Sequence, residues 1–296
     1  MLKRLFTILE MIKFGHSVFA LPFAVLAAFL ASGGWPGWGK IGLIVGCMVL
    51  ARNVAMTYNR VADAEIDKLN PRTSNRAIPA GLVSKRWAWG FIAVNSIGFI
   101  FVCGLFWKFY GNVWPVAFSV PVLGYLCLYS HLKRYTWFCH FWLGGAHSMA
   151  VLAGFIAIRP GSLGLGGIVL AVAVGCWTAG FDLIYAALDV EFDRRVGLYS
   201  LPAKVGVGRG LMISRILHGI SIVGFGLSGF LLGLGWIFGL GVVLTGGLLV
   251  VEHWLVRAGD LRRVNLAFFT MNGMVSVVLA GFGFMDLISK RVYEWS

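Results

Sequence analysis

The chain is short of charge, and of acid above all. Asp, Glu, Lys and Arg make up 12% of its 296 residues, and only 12 residues are acidic. Soluble domains carry about 25% charged residues, so composition excludes an ordinary soluble fold. Cysteine is scarce as well. Cys47, Cys103, Cys127, Cys139 and Cys176 contain no CxxC pair, which removes the thiolate zinc sites and redox motifs built on that spacing. All five fall in apolar stretches and read as small packing residues. The histidines His16, His131, His140 and His147 show no metal-ligand spacing beyond the seven-residue step from His140 to His147, and structural or interfacial roles suit them. A cleavable signal is not evident, because the first apolar run is too long and lacks a small-residue cleavage site.

Long apolar runs are what the chain has in quantity. Hydrophobic residues account for 59% of it, and the mean hydropathy is +0.83. A hydrocarbon core of about 30 Å is crossed by roughly 20 apolar residues in a helix. Nine segments of that kind follow one another: 14–33, 41–56, 87–106, 114–129, 137–158, 163–188, 211–232, 234–255 and 266–288. The two short ones, at 41–56 and 114–129, are expected to continue into neighbouring polar sequence. The division near Leu232 depends on Gly233 and Gly235 making a tight turn; one long tilted helix is the alternative. The expected class is all-α, a polytopic membrane helix bundle. Trp35, Trp38, Trp87, Trp107 and Trp137 near segment ends suit an aromatic belt, and the 40 glycines suit close helix packing and match no phosphate-loop pattern.

The cations set the orientation. Taking the gaps between segments alternately, one set holds Lys3, Arg4, Lys13, Arg60, Lys68, Arg72, Arg76, Lys85, Arg86, Lys133, Arg134, Arg194, Arg195, Lys204, Arg209, Arg215, Arg257, Arg262 and Arg263. The other set has only Lys40, Lys108, Arg159, Lys290 and Arg291, with Arg52 inside a segment. That asymmetry predicts a cytoplasmic N-terminus and a C-terminus outside. The formal charge of +13 therefore calls for no nucleic acid; topology and contact with anionic lipid account for it, together with one further role.

Seven of the 12 acids crowd into two short windows, Asp63, Glu65, Asp67 and Asp182, Asp189, Glu191, Asp193. Asn59, Asp63 and Asp67 step by four and share a helical face, as do Asp189 and Asp193, with Tyr185 and Asp182 behind them on the same side. The two D-x-x-x-D patterns are 126 residues apart, a hint of internal duplication. Like charges at this spacing repel and are costly in apolar surroundings. Two such pairs facing each other across a bundle form an oxygen-rich cage suited to magnesium. A single pair is better explained as a solvated helix end; two pairs beside clustered cations are not.

Those cations complete a diphosphate site. Residues 70–81, NPRTSNRAIPAG, form a loop by their Pro and Gly content. The loop is expected to be mobile until diphosphate orders it, and its Arg72 and Arg76 can fork onto phosphate oxygens. Lys133 and Arg134 stand at the end of the fourth segment, and Lys204 follows the second window. Arg194, Arg195, Lys85 and Arg86 read as topology signals.

At these residues the sequence resembles the UbiA superfamily of intramembrane aromatic prenyltransferases. The first signature is matched by Asn59, Asp63 and Asp67, and the second by Tyr185, Asp189, Asp193, Gly197 and Ser200-Leu201-Pro202. Arg52, seven before Asn59, and the 70–81 loop agree as well. Arg60 departs, standing where many members carry aspartate. The resemblance covers essentially the whole chain. It implies nine helices around a central cavity and a single domain over 1–296, in a bacterial-type inner (plasma) membrane with the active-site loops cytoplasmic. It further implies Mg2+ held by Asn59, Asp63, Asp67, Asp189 and Asp193, the four aspartates being catalytic, with polyprenyl diphosphate bound by Arg52, Arg72, Arg76, Lys133, Arg134 and Lys204. The branch it looks most like prenylates 4-hydroxybenzoate for ubiquinone; prenylation of a dihydroxynaphthoate for menaquinone is the neighbouring alternative. Asp182 and Tyr185 are candidates for orienting the small aromatic acid or taking its proton, with an interhelical hydrogen bond and an interfacial aromatic as the plainer roles.

Two other classes compete. A membrane phosphotransferase acting on nucleotide-activated alcohols would need D-G-x-x-A-R, and that string is absent. An ion-coupled transporter would place acids near the bilayer midplane, whereas here most sit at one face and only Asp182 is expected to lie deep.

Overall fold

The computed structural model describes residues 19–295, with side chains through Lys290. Lys3, Arg4, Lys13, His16, the start of the first predicted segment and the side chain of Arg291 lie outside these. The described elements are all helical: α1 (Leu21–Ser32), α2 (Trp38–Ala62), α3 (Ala64–Leu69), α4 (Lys85–Tyr110), α5 (Trp114–Leu132), α6 (Cys139–Ile158), α7 (Leu165–Ala186), α8 (Val190–Val196), α9 (Leu201–Val205), α10 (Val207–Leu231), α11 (Trp236–Leu255) and α12 (Asn272–Trp295), with single 3-10, α and π turns between them.

Eight stretches among the described residues are long and apolar enough to cross a membrane: α2, α4, α5, α6, α7 carried on to Val196, α10, α11 and Val264–Lys290. The first of the nine predicted segments is represented by α1, 12 residues long. The protein is a multi-pass integral membrane protein. As expected, the two short segments lengthen into polar sequence, 41–56 becoming α2 and 114–129 becoming α5.

Local chemistry sets the helix ends. Ser84 accepts a hydrogen bond from the Trp87 backbone N–H and caps α4, which ends at Gly111 with φ 67°. Gly233, at φ 67°, makes the turn that separates α10 from α11, so two helices and not one tilted helix occupy 211–255. The first N–H groups of α11 find no cap in their own segment. Asp286 of α12 supplies it, accepting from Gly235 N at 2.7 Å and Phe238 N at 3.2 Å.

The described residues divide into two compact units, 45–132 in one and 19–44 with 133–295 in the other. In the first, α2 and α4 are joined by the buried Asn53–Asn95 hydrogen bond of 2.9 Å. Val54, Ile92, Phe99, Cys103 and Leu123 form its apolar centre. The loop after α3 is helix-free as expected, but it is not loose. Ala77, Ile78 and Val83 pack with Ala64 and Ala88, Thr73 and Asn70 are buried, and the Thr73 hydroxyl donates to the Asp67 carbonyl at 3.1 Å.

In the second unit α7 is the central helix, packed against α6 and α10. A Cβ on Gly144 would strike the carbonyl of Gly175, so α6 and α7 meet backbone to backbone. Trp177, Phe23, Phe155, Phe181 and Phe225 fill the core.

Candidate active site

In the first unit the acidic stripe runs across a helix break. α2 stops at Ala62, Asp63 takes φ −92° and ψ 1°, and α3 follows. The spacing survives, because Asp63 N bonds Asn59 O at 2.9 Å and Asp67 N bonds Asp63 O at 2.7 Å. Asn59, Asp63 and Asp67 thus keep one face. Asp63 and Asp67 are buried, at 2% and 4% exposure, while Glu65 between them is exposed and paired with Lys85 at 2.6 Å. The Lys85 ammonium holds the Glu65 carboxyl below the usual carboxylate range.

Each stripe member is oriented by a neighbour. Asn59 Nδ2 donates to Asp63 Oδ2 at 3.0 Å and lies 3.4 Å from Ser130 Oγ. Arg60, the residue that departs from the signature, is itself buried and donates to Asn59 Oδ1 at 3.0 Å. Arg76 grips Asp67, its Nη1 lying 2.7 and 2.8 Å from the two carboxylate oxygens. Arg72 is exposed; its backbone N–H bonds the Asn70 side chain. Arg52 lies half-buried in α2, two turns behind Asn59.

The second unit repeats the local arrangement. α7 gives way to a 3-10 turn, Asp189 takes φ −106° and ψ 5°, and α8 follows. Asp193 is buried and Glu191 exposed. Asp193 hydrogen-bonds the Ser200 side chain, and Ser200 Oγ also accepts from Ala203 N to cap α9. The loop between α8 and α9 is fastened further by Tyr199 N–H to Lys133 O at 2.7 Å. Lys204 is exposed and rests over the Trp137 ring at 4.8 Å, while Lys133 and Arg134 are half-buried. Arg194 donates to Ala203 O at 2.7 Å.

Asp182 lies one turn behind Tyr185, its Oδ2 2.7 Å from His140 Nδ1. The Leu201 backbone N–H reaches His140 Nε2 at 3.2 Å. That geometry assigns the proton to Nδ1, which donates to Asp182. Tyr185 lies against Phe268, the ring centroids 4.4 Å apart and the planes tilted by 37°. Behind the acids the same face of α7 is aromatic, since Trp177, Phe181 and Tyr185 precede Asp189 and Asp193 in steps of four.

His140 takes a structural role, as expected: it holds Asp182 and the Ser200–Pro202 turn together. The residues are 42 apart in sequence, and no spacing rule joins them. Besides Asp182, the acids Glu252 and Asp286 are buried within the unit, at 0% and 1% exposure. Both are tied, Asp286 to the start of α11 and Glu252 to Asn272 Nδ2 at 2.6 Å. Among the described residues no three His, Cys, Asp or Glu side chains form a group able to hold a metal ion unaided.

Comparison with known proteins agrees with the resemblance. The UbiA prenyltransferase family matches residues 20–274. A 4-hydroxybenzoate octaprenyltransferase of Saccharophagus degradans is 30% identical over 256 residues, 86% of this chain and 82% of that protein. The apo structure of a UbiA homolog from Aeropyrum pernix K1 is 30% identical with a TM-score of 0.81, over 92% of this chain and 98% of that one. A UbiA homolog from Archaeoglobus fulgidus, in a structure bound to GPP and Mg2+, is 18% identical with a TM-score of 0.74, over 95% and 99%; at that identity the likeness is one of fold. The paired D-x-x-x-D breaks, the helices around them and these matches agree on one conclusion: the chain belongs to the UbiA prenyltransferase family.

Proposed function

We propose that the protein transfers a polyprenyl group from polyprenyl diphosphate to a ring carbon of 4-hydroxybenzoate, with Mg2+ as cofactor, on the route to ubiquinone. The observation that carries this reading is the pair of acid-bearing helix breaks, the first burying Asp63 and Asp67 and the second burying Asp193 beside a half-buried Asp189, carboxylates that would otherwise repel. The name of the Saccharophagus relative supports the substrate pair, and the Archaeoglobus homolog's bound GPP and Mg2+ support the cofactor. The single family match over 20–274 supports treating the chain as one prenyltransferase domain.

The donors fit magnesium. Each break offers two carboxylates, and Mg2+ commonly takes one or two carboxylates with water and substrate phosphate completing its shell. Asp63, Asp67, Asp189 and Asp193 would be the ligands, with Asn59 orienting Asp63 or adding an oxygen. When bound, Mg2+ neutralises diphosphate charge and makes it a better leaving group.

The chain's own residues do the rest. Arg72, Arg76, Lys133, Arg134, Lys204 and Arg52 supply positive charge to the phosphates. The allylic C–O bond breaks and its electron pair leaves with diphosphate. The phenol ring attacks the allylic carbon, and the ring proton departs to a base, for which Asp182, held by His140, and Tyr185 are placed on the same helical face. The aromatic rings behind them stabilise positive charge through their π faces, and apolar helices keep water from the cation. Nineteen cations on one side support a cytoplasmic N-terminus and cytoplasmic acid windows in a bacterial inner membrane.

The test uses membranes containing the protein, Mg2+, radiolabelled polyprenyl diphosphate and a panel of aromatic acids, with products identified by mass. A C-prenylated 4-hydroxybenzoate is expected. Product from dihydroxynaphthoate alone would move the assignment to menaquinone synthesis, and no product with any acid would overturn it.

A further inference from the structure

One polar group stands in the apolar heart of the second unit and is used by nothing above. Glu252 of α11 and Asn272 at the start of α12 are both fully buried. Asn272 Nδ2 donates to Glu252 Oε1 at 2.6 Å, and Asn272 Oδ1 accepts from Trp177 Nε1 at 2.7 Å. Buried polar groups in hydrocarbon surroundings are costly and need a function or a partner.

The five residues before Asn272, Ala267–Met271, form a π turn. Such turns are rare and leave carbonyls without their usual donors. The carbonyl of Phe268 would ordinarily be bonded by the Asn272 backbone N–H, but that N–H goes to Phe269 O. The side chain of the same residue replaces it, Asn272 Nδ2 lying 3.1 Å from Phe268 O. Asn272 therefore stitches the wide turn, and Glu252 and Trp177 fix the amide that does so.

The widened turn brings two consecutive rings to the same neighbour. Phe268 lies 4.4 Å and Phe269 6.1 Å from Tyr185 between ring centroids, and Phe268 meets Phe181 edge-on at 5.3 Å. In a regular helix successive side chains point about 100° apart; at this π turn both rings reach Tyr185. Both rings and Tyr185 are only half-buried, one turn behind Asp189.

We propose that Glu252 and Asn272 are positioning residues: they hold the π turn so that Phe268 and Phe269 wall off Tyr185 and keep water from the allylic cation. This rests on the transfer reaction proposed above. A loosened wall admits water to the cation, which then yields prenyl alcohol in place of prenylated acid.

The experiment compares purified wild type with Asn272→Leu, Glu252→Leu, Glu252→Gln and the double variant Phe268→Ala/Phe269→Ala. Two quantities are read: the ratio of prenyl alcohol to prenylated acid, and nitration of Tyr185 by tetranitromethane, counted by mass spectrometry without turnover. Asn272→Leu and Glu252→Leu are expected to raise both severalfold. Glu252→Gln keeps the accepting oxygen and is expected to match wild type. The double Phe variant leaves the polar group intact and is expected to raise both. If Asn272→Leu merely slows turnover, with ratio and nitration unchanged, the proposal is wrong. If wild type makes neither product, the transfer reaction falls, and the nitration series alone decides whether the polar group holds the wall.

Discussion

Asp63 and Asp189, 126 residues apart, adopt one backbone conformation, φ −92° and ψ 1° against φ −106° and ψ 5°, each at the first aspartate of a D-x-x-x-D sequence. This is the sparsely populated bridge region, favoured in turns and active sites. In both places a long apolar helix stops, a short one begins, and the second aspartate is buried while the intervening glutamate is exposed. The likeness extends the sequence hint of duplication to local structure.

Face-specific burial makes the first prediction. Asp63→Ala, Asp67→Ala, Asp189→Ala and Asp193→Ala are each expected to lower kcat by about 10²–10³, with membrane protein levels near wild type. Glu65→Ala and Glu191→Ala should change kcat little. Equal losses at all six positions would argue against ligation by one face. Turnover with purified variants checks it.

This division was legible because four-residue spacing survives a helix break: the i to i−4 hydrogen bonds at Asp63 and Asp67 persist. The apolar runs were legible for a related reason, since spanning length is fixed by the bilayer. Partners distant in sequence were not. His140 and Asp182 come from different helices, and Asp286 caps a helix 51 residues away. In the 70–81 loop, Pro and Gly say where a helix fails, not what Ala77, Ile78 and Val83 pack against.

Arg76 and Arg72 should differ. Arg76 grips Asp67, so Arg76→Ala frees a carboxylate proposed to hold Mg2+ and is expected to lower kcat as well as diphosphate affinity. Arg72 is exposed in the loop after α3, its backbone N–H on the Asn70 side chain. Arg72→Ala is expected to raise KM for the prenyl diphosphate by roughly tenfold, about 1.4 kcal/mol, leaving KM for the aromatic acid unchanged. A defect selective for the aromatic acid would mean the substrates are assigned the wrong way round.

Asp182 depends on His140. Asp182→Ala and His140→Ala are expected to lower kcat to a similar extent, and the double variant should fall little below either, since one arrangement is lost in each case. Additive losses would show that the two act separately.

Helix packing in the second unit gives a stability prediction. A Cβ on Gly180 would run into the His218 ring, which is buried at 3% exposure. Gly180→Ala is expected to cost about 1–3 kcal/mol, and His218→Ala in the same chain should recover part of it. Thermal unfolding in detergent of both single variants and the double variant decides this.

The central claim, that buried aspartates grip a diphosphate through a divalent cation, is tested most directly by chelation. Purified protein is given radiolabelled polyprenyl diphosphate and 4-hydroxybenzoate, first in excess EDTA and then with Mg2+ restored. The account predicts no prenylated product with chelator and full recovery on adding Mg2+, a recovery that Asp189→Ala fails to show. Undiminished turnover in excess chelator would contradict it.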